Sequence, residues 1–398
     1  MKLFQINVTA NCGSTGKIAE QIGQLVIKEG GESVIAYGRE ACLSSSKLIR
    51  IGTTFDLFLH VLGTRIFDYH GLLSKHATLK LIRQIDKFNP DVIHLHNIHG
   101  YYLNYPILFD YLAKSSVPVV WTLHDCWAFT GHCAYFDYIN CHKWKIKCFD
   151  CSGIKAYPKA FTDNSAHNFL LKKKYFTKKN NLILVPVSFW LLNQLKDSFL
   201  KNVYATVIHN GVDINVFNLK KCDTNRKIIL GVANVWEPRK GLRDFYELRK
   251  LLDADYLIIL VGLKKEQVAA LPKGVVGIVR TNSQNELAKL YTESLVFFNP
   301  TYEDNFPTTN LEALACGTPV ITYRTGGSPE AIDGNTGFVV EKGDLKAVLA
   351  HIETIGNRGK DFYSIACRQR AADYFDKNKQ FMEYLKLYKK ILSNKNIY

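Results

Sequence analysis

Leu257-Ile258-Ile259-Leu260-Val261 and Val117-Pro118-Val119-Val120-Trp121 are the two stretches on which the fold turns. Both are apolar runs with no polar residue at alternate positions, so neither can keep one face in water. Strands buried on both faces belong to parallel sheets covered by helices above and below. Further β-branched runs surround them at 3–8, 34–37, 92–95, 182–187 and 206–208 in the first half. In the second half they lie at 228–232, 295–298, 320–322 and 337–340. Between the runs the period changes: Ile18, Ile22, Leu25 and Val26, or Leu81, Ile82, Ile85 and Phe88, fall at helical spacing and line one face. The alternation breaks at the turn formers His209-Asn210-Gly211-Val212-Asp213 and then restarts. It predicts two doubly wound α/β domains, at 1–208 and 209–375, and a helix over 376–398 that packs back toward the first domain. Ligands of such sheets sit at the carboxyl ends of the strands.

The chain has 398 residues, 47% hydrophobic and 22% charged, which is long enough for two cores and too apolar for disorder. It contains no run of 18 uncharged apolar residues, and 1–8 reads as a strand rather than a leader, which predicts a cytoplasmic protein. The net charge of +15 is spread over both halves. Such a balance suits phosphate-bearing ligands, nucleic acid or an anionic membrane surface, without choosing among them.

Three loops at predicted strand ends carry chemistry. Asn11-Cys12-Gly13-Ser14-Thr15-Gly16-Lys17 lies between the first strand and an amphipathic helix; Gly13 and Gly16 let backbone N–H groups approach a phosphate or hydroxyl, although an ordinary strand-to-helix turn looks the same. The dinucleotide fingerprint needs a third glycine that is missing here, which disfavours a dehydrogenase. In 234–242, Arg239 and Lys240 stand together on a turn; they can neutralise a diphosphate, or form a solvated charged turn. The third loop is Tyr302-Glu303-Asp304-Asn305-Phe306-Pro307-Thr308-Thr309-Asn310-Leu311-Glu312, followed by Ala-Leu-Ala-Cys-Gly-Thr-Pro. Thr308 or Thr309 is expected to cap a short helix with Glu312 in its first turn, ended by Gly317. Asp304 has no capping role. With Glu312 it forms a pair of carboxylates able to accept bonds from sugar hydroxyls.

The second half resembles glycosyltransferase family 4, the retaining nucleotide-sugar transferases of GT-B architecture, and the likeness extends over almost the whole chain. It implies two Rossmann-like domains facing across a cleft, the second binding the donor and the first the acceptor. The family's paired glutamates fall on Asp304 and Glu312, which implies that Asp304 touches the transferred sugar and Glu312 the ribose. Asp is a departure from Glu, and Glu303 is an alternative first carboxylate. The phosphate-binding lysine matches Lys240; a basic residue six positions earlier is Asn234 here, and Arg239 can supply the missing charge. Val120-Trp121-Thr122-Leu123-His124-Asp125 resembles the strand end whose histidine lies beside the sugar, a role that falls on His124; taken alone, a strand-end histidine reads as core.

Cys133, Cys141, Cys148 and Cys151 punctuate a Cys-rich loop near 126–151. Their spacing suits a tetrahedral structural zinc, with His132 and His142 as substitutes; an iron-sulfur cluster or plain buried thiols fit as well. The run Lys172-Lys173-Lys174-Tyr175-Phe176-Thr177-Lys178-Lys179 reads either as a contact for anionic lipid at the inner face of the membrane or as a solvated helix face. The leading expectation is a transferase using a UDP- or GDP-sugar and a saccharide or lipid-linked glycan acceptor in polysaccharide synthesis. It needs no catalytic metal and no nucleic-acid partner. The alternatives are a sugar-nucleotide epimerase of the same fold and a zinc-containing nucleic-acid-binding protein; the latter would gather its charge into one stripe.

Overall fold

The computed structural model describes residues 1–219 and 227–393. Positions 220–226 of the expected second domain and the last five of the expected C-terminal helix lie outside the described residues. Two compact units result: Met1–Ile208 with Phe381–Tyr398, and His209–Gln380.

The first unit holds β1 (Lys2–Ala10), β2 (Glu32–Ala41), β3 (Lys47–Arg50), β4 (Val92–Leu95), β5 (Val119–Leu123) and β6 (Leu182–Pro186). They form one sheet in the order β3-β2-β1-β4-β5-β6, every pair parallel. The second unit repeats the design with β7 (Lys227–Val232), β8 (Tyr256–Val261), β9 (Val275–Ile278), β10 (Val296–Asn299), β11 (Val320–Tyr323) and β12 (Gly337–Val340). Its order is β12-β11-β10-β7-β8-β9, again all parallel. All of β5 is buried, and so is all of β8 except the intermediate Leu257, as their lack of alternation requires.

Two edge strands escape the sequence pattern: β3, Lys-Leu-Ile-Arg, is flanked by charges, and β9, Val-Val-Gly-Ile, is apolar but interrupted by Gly277 and only partly buried. The expected strand at 206–208 is a correction. That segment runs beside β6, with bonds at Tyr204 O, Thr206 N and, at 3.4 Å, Ile208 N, but it makes only an isolated bridge at Ala205 and no continuous ladder. A second correction concerns 172–179, which is not one solvated basic face. Lys172 is buried, donating to Trp127 O at 2.7 Å and Thr130 O at 3.0 Å with its ammonium over the Trp127 ring. Lys179 is buried against Ser115 O.

The helix Lys377–Ser393 begins in the second unit, where Val212 N bonds Phe375 O and Lys377 N bonds Val212 O, and Lys377 pairs with Asp213. From Phe381 onward it belongs to the first unit. Phe381, Tyr384, Leu385, Tyr388 and Ile391 form one face and share a core with Leu3, Ile18, Ile22, Val92, Val120 and Ile183. Two phenols anchor that face to the sheet. Thr122 Oγ1 donates to Tyr384 Oη at 3.0 Å and accepts from His94 Nε2 at 2.8 Å; Tyr388 Oη donates to His94 Nδ1 at 2.6 Å. Tyr388→Phe strands a buried acceptor, and the unfolding free energy should fall by about 1–3 kcal/mol. Urea midpoints at unchanged slope would report the loss, and coincident curves would show that the bond contributes nothing net.

Candidate active site

In the second unit, the segments leaving β7 and β10 emerge side by side because those strands are neighbours in the sheet. After β7 the chain makes a single turn, Pro238–Lys240, and Gly241 follows at φ 72°. A Cβ at Gly241 would collide with the Pro300 carbonyl, so only glycine lets this turn press against the end of β10. The press is then sealed by hydrogen bonds: Tyr302 N donates to Arg239 O at 2.7 Å, and Arg239 Nη1 donates to Glu303 O at 2.9 Å. Lys240 and Asp304 form an ion pair, with about a fifth of each side chain exposed. Arg239 and Lys240 therefore differ in task. The guanidinium, also bonded to Glu237, braces the loop, whereas the ammonium faces the carboxylate.

Thr308–Ala315 forms the helix expected after this loop, with two corrections. Pro307 occupies the N-cap, so Thr308 and Thr309 are the first helical residues and neither caps by its side chain. Glu312 is consequently the fifth residue and lies beyond the first turn. Its Oε2 accepts from the Tyr291 phenol at 3.0 Å. Burial, and after it the Glu312 charge, pushes the Tyr291 phenol well above its usual range, so it remains a donor. Gly317 ends the helix at φ 70°, as expected. A third loop closes over the site: Gly326, at φ 51°, abuts the Asp304 carbonyl where no Cβ could fit, and Gly327 N donates to Asn305 O at 3.1 Å. Sequence reasoning missed Tyr291, Gly326 and Gly327. The adjacent glycines of Thr325-Gly326-Gly327 were the available signal; Tyr291 gave none, because nothing local relates it to Glu312.

The first unit holds the remaining predicted residues. Gly13 lies at φ 62° with open space where a Cβ would be, and it begins the helix Gly13–Lys28. Gly16 packs against Thr9 while its carbonyl accepts from Asn11 N at 3.0 Å, a role explained by the turn itself. His124 follows β5. Gln5 Nε2 donates to Ala19 O, so Gln5 Oε1 accepts from His96 Nε2 at 3.1 Å and His96 Nδ1 accepts from His124 Nε2 at 3.3 Å. This relay, unseen in the sequence, fixes the ring of His124, and burial lowers its pKa to about 4 despite the opposing pull of Asp125. His124 is thus a neutral hydrogen-bonding group. Asp125 accepts from His99 at 2.8 Å, and His99 in turn meets the Tyr157 hydroxyl at 2.9 Å.

In the Cys-rich loop, the Cys133 thiol bonds to Cys151, an interaction that holds the Cys151 thiol down to about 7. Gly131 N donates to Cys148 Sγ at 3.1 Å. Among the described residues no three His, Cys, Asp or Glu side chains are grouped closely enough to hold a metal ion. The donor types suit zinc, and one orphan points the same way: buried His132 bonds Asp68 through Nδ1 at 2.6 Å while its Nε2 has no hydrogen-bond partner.

Residues 226–357 match the family model of the group 1 glycosyl transferases, and residues 55–216 match that of Glycosyltransferase Family 4. The chain is a glycosyltransferase, a family 4 domain followed by a group 1 domain. Among curated relatives of the transferase, WcaC of Escherichia coli (strain K12), named as a candidate colanic acid biosynthesis glycosyl transferase, is 23% identical over 370 residues. That alignment covers 87% of this chain and 88% of WcaC. Sucrose-phosphate synthase of Thermosynechococcus elongatus superposes with a TM-score of 0.71 at 16% identity, covering 98% of the transferase and 99% of that chain. HepE of Anabaena, solved in complex with UDP, gives 0.68 at 13% identity over 97% and 99%. The fold is GT-B, and the names of several relatives lie in capsule, O-antigen and lipopolysaccharide synthesis.

Burial holds the imidazoles of His60, His70, His94, His96 and His124 below the ordinary 6.5, all in the first unit. Below pH 6.5 the unfolded chain takes up protons that these rings refuse in the folded state. Stability of the transferase should therefore fall as pH drops through 6.5, by about 1.4 kcal/mol per pH unit for each ring that stays neutral. Urea unfolding at pH 7.5, 6.5 and 5.5 tests this; a midpoint that does not move between 6.5 and 5.5 contradicts it.

Proposed function

We propose that the enzyme is a retaining transferase that moves a hexose from a nucleotide diphosphate donor, UDP- or GDP-linked, to a hydroxyl of a saccharide or lipid-linked glycan during polysaccharide synthesis. The observation that carries this reading is the Lys240–Asp304 pair at the carboxyl edge of the second sheet, eight residues before a Glu312 braced from behind by Tyr291. A diphosphate carries more charge than one carboxylate and competes for Lys240. Once Lys240 turns to the phosphates, Asp304 is released to accept bonds from the sugar hydroxyls, while Glu312 takes the ribose. Thr308 and Thr309 contribute N–H groups at the helix start.

In the transfer, the bond from the anomeric carbon to the leaving phosphate oxygen breaks and the bond to the acceptor oxygen forms on the same face. The acceptor proton passes to the departing phosphate. Stabilisation of the leaving group by Lys240 and helix N–H donors supplies most of the acceleration. Neutral His124, oriented by His96, hydrogen-bonds a sugar hydroxyl, with Gly13 and Gly16 keeping the backbone near it open. No step requires a metal ion. HepE, similar in fold, was solved with UDP, which supports a uridine donor.

The ion pair gives the three side chains different signatures in calorimetry with UDP and GDP. Lys240→Ala should weaken nucleotide binding by about 1.5–3 kcal/mol. Glu312→Ala should weaken it too. Asp304→Ala removes the competitor for Lys240, so nucleotide affinity should hold or rise while turnover collapses. Equal losses of UDP affinity in all three variants would overturn this assignment.

The Cys-rich loop is proposed to hold one structural zinc drawn from Cys133, Cys141, Cys148, Cys151 and His132, supported by the Cys133–Cys151 contact and by the orphaned His132 Nε2. About one zinc per chain is expected by elemental analysis of protein purified without added metal. Absence of both zinc and iron would leave the loop to its thiol and aromatic packing alone.

A further inference from the structure

The helix Thr54–Phe67 is built inside out. Its start is well made, with a reciprocal cap between Thr53 and Asp56. The residues it buries, however, are polar: His60 accepts from Gly71 N at 3.0 Å and donates to Ser74 Oγ at 2.8 Å, and Thr64 Oγ1 bonds His60 O at 2.8 Å. The outward face is apolar. Phe55 is 67% exposed, Phe58 59%, Leu59 44%, Leu62 43% and Ile66 39%, at spacings that form a single stripe along the helix. Phe161, 76% exposed, extends the stripe at its far end, where Phe161 N donates to Arg65 O at 2.7 Å and Thr162 Oγ1 to Ile66 O at 2.6 Å. A soluble surface helix shows the opposite pattern.

The rim of this stripe is cationic. Arg50 bonds Thr54 Oγ1 at the helix start, and His76 and Lys80 lie close enough to Asp56 to favour its charged form. Arg65 and the exposed Lys159 meet at the other end, where Arg65 Nη1 donates to Lys159 O. Of the acids nearby, Asp56 is engaged in the cap, Asp68 is buried on His132, and the exposed Asp163 beyond Phe161 accepts from Cys151 N and Ser165 N. The helix is too short to cross a bilayer, and among the described residues no helix is long and apolar enough to do so. An apolar, aromatic ridge flanked by cations at both ends is complementary to a surface that offers acyl chains beneath negative headgroups.

We propose that Thr54–Phe67, with Phe161, is the face by which the transferase docks on an anionic lipid surface, lying in the interface with Phe55, Phe58 and Leu62 among the acyl chains. This deepens the lipid-linked-acceptor reading, but its test needs no acceptor. Full-length protein is sedimented with vesicles of equal parts phosphatidylglycerol and phosphatidylcholine, and with phosphatidylcholine alone, beside the double variant Phe58→Ser/Leu62→Ser and the charge variant Lys159→Glu. Wild type should pellet with the anionic vesicles far more than with the neutral ones. The double variant should lose about tenfold or more of that partition, and Lys159→Glu should lose part of it, both with circular dichroism and UDP affinity unchanged. Wild type that stays in the supernatant, or a double variant that pellets equally well, overturns the docking face; intact UDP binding in the same sample leaves the transferase reading standing. Light scattering that finds a wild-type dimer abolished by the double variant also overturns it, because a second copy would then be the occupant.

Discussion

When every strand of a sheet runs the same way, every strand's carboxyl end lies on one edge, and the loops leaving those ends have nowhere else to go. Both sheets here obey that constraint without exception. In each, the chain begins at an inner strand, builds outward to one side, then returns to continue on the other. β1 and β4 become neighbours in the first sheet, as do β7 and β10 in the second. The loops after such neighbours diverge to opposite faces of the sheet and leave a crevice at their parting. Lys240 and Asp304 meet at that parting although 63 residues lie between them in the chain, and the Gln5-His96-His124 relay straddles the corresponding place in the first unit.

Close approach of those loops is a backbone problem before it is a side-chain one. Gly241 and Gly326 each occupy a left-handed conformation and touch a carbonyl of the β10 loop that a side chain would displace. The ionic and hydrogen-bonding groups of the site are then positioned by main chain: Arg239 holds the loop through Glu303 O rather than through a carboxylate. A site assembled this way leaves Lys240 and Asp304 able to exchange partners, since main-chain contacts and Arg239, not their ion pair, hold the scaffold.

Much of this was legible in the residues. Apolar runs without alternation require parallel, doubly covered strands, and that requirement is local, so the α/β class and the inner strands could be read directly. Edge strands are not under the same demand: β3 and β9 are partly wet, β3 is bounded by Lys47 and Arg50, and β9 is short and broken by Gly277. The spaced carboxylates and the Arg239-Lys240 turn were visible because each lies within one short stretch of chain. Their partners were not visible, since Tyr291 with Glu312, Lys240 with Asp304 and Gln5 with His96 are joined only by the order of strands in the sheet. Charge runs misled for a related reason. Lys172 looks solvated in sequence, yet its helix turns it onto Trp127, while the helix Thr54–Phe67 hides its polar side and displays its phenylalanines.

The helix Lys377–Ser393 makes the first unit discontinuous in the chain: Phe381, Tyr384 and Tyr388 complete a core whose other walls come from residues 3–208. A ribosome delivers those walls long before it delivers the helix. During synthesis the first sheet must wait with His94 and Thr122 uncovered while the second unit, continuous from His209 to Gln380, emerges and can close around its own sheet. The order of maturation is therefore the reverse of the order of translation, and the unit begun first is the one finished last.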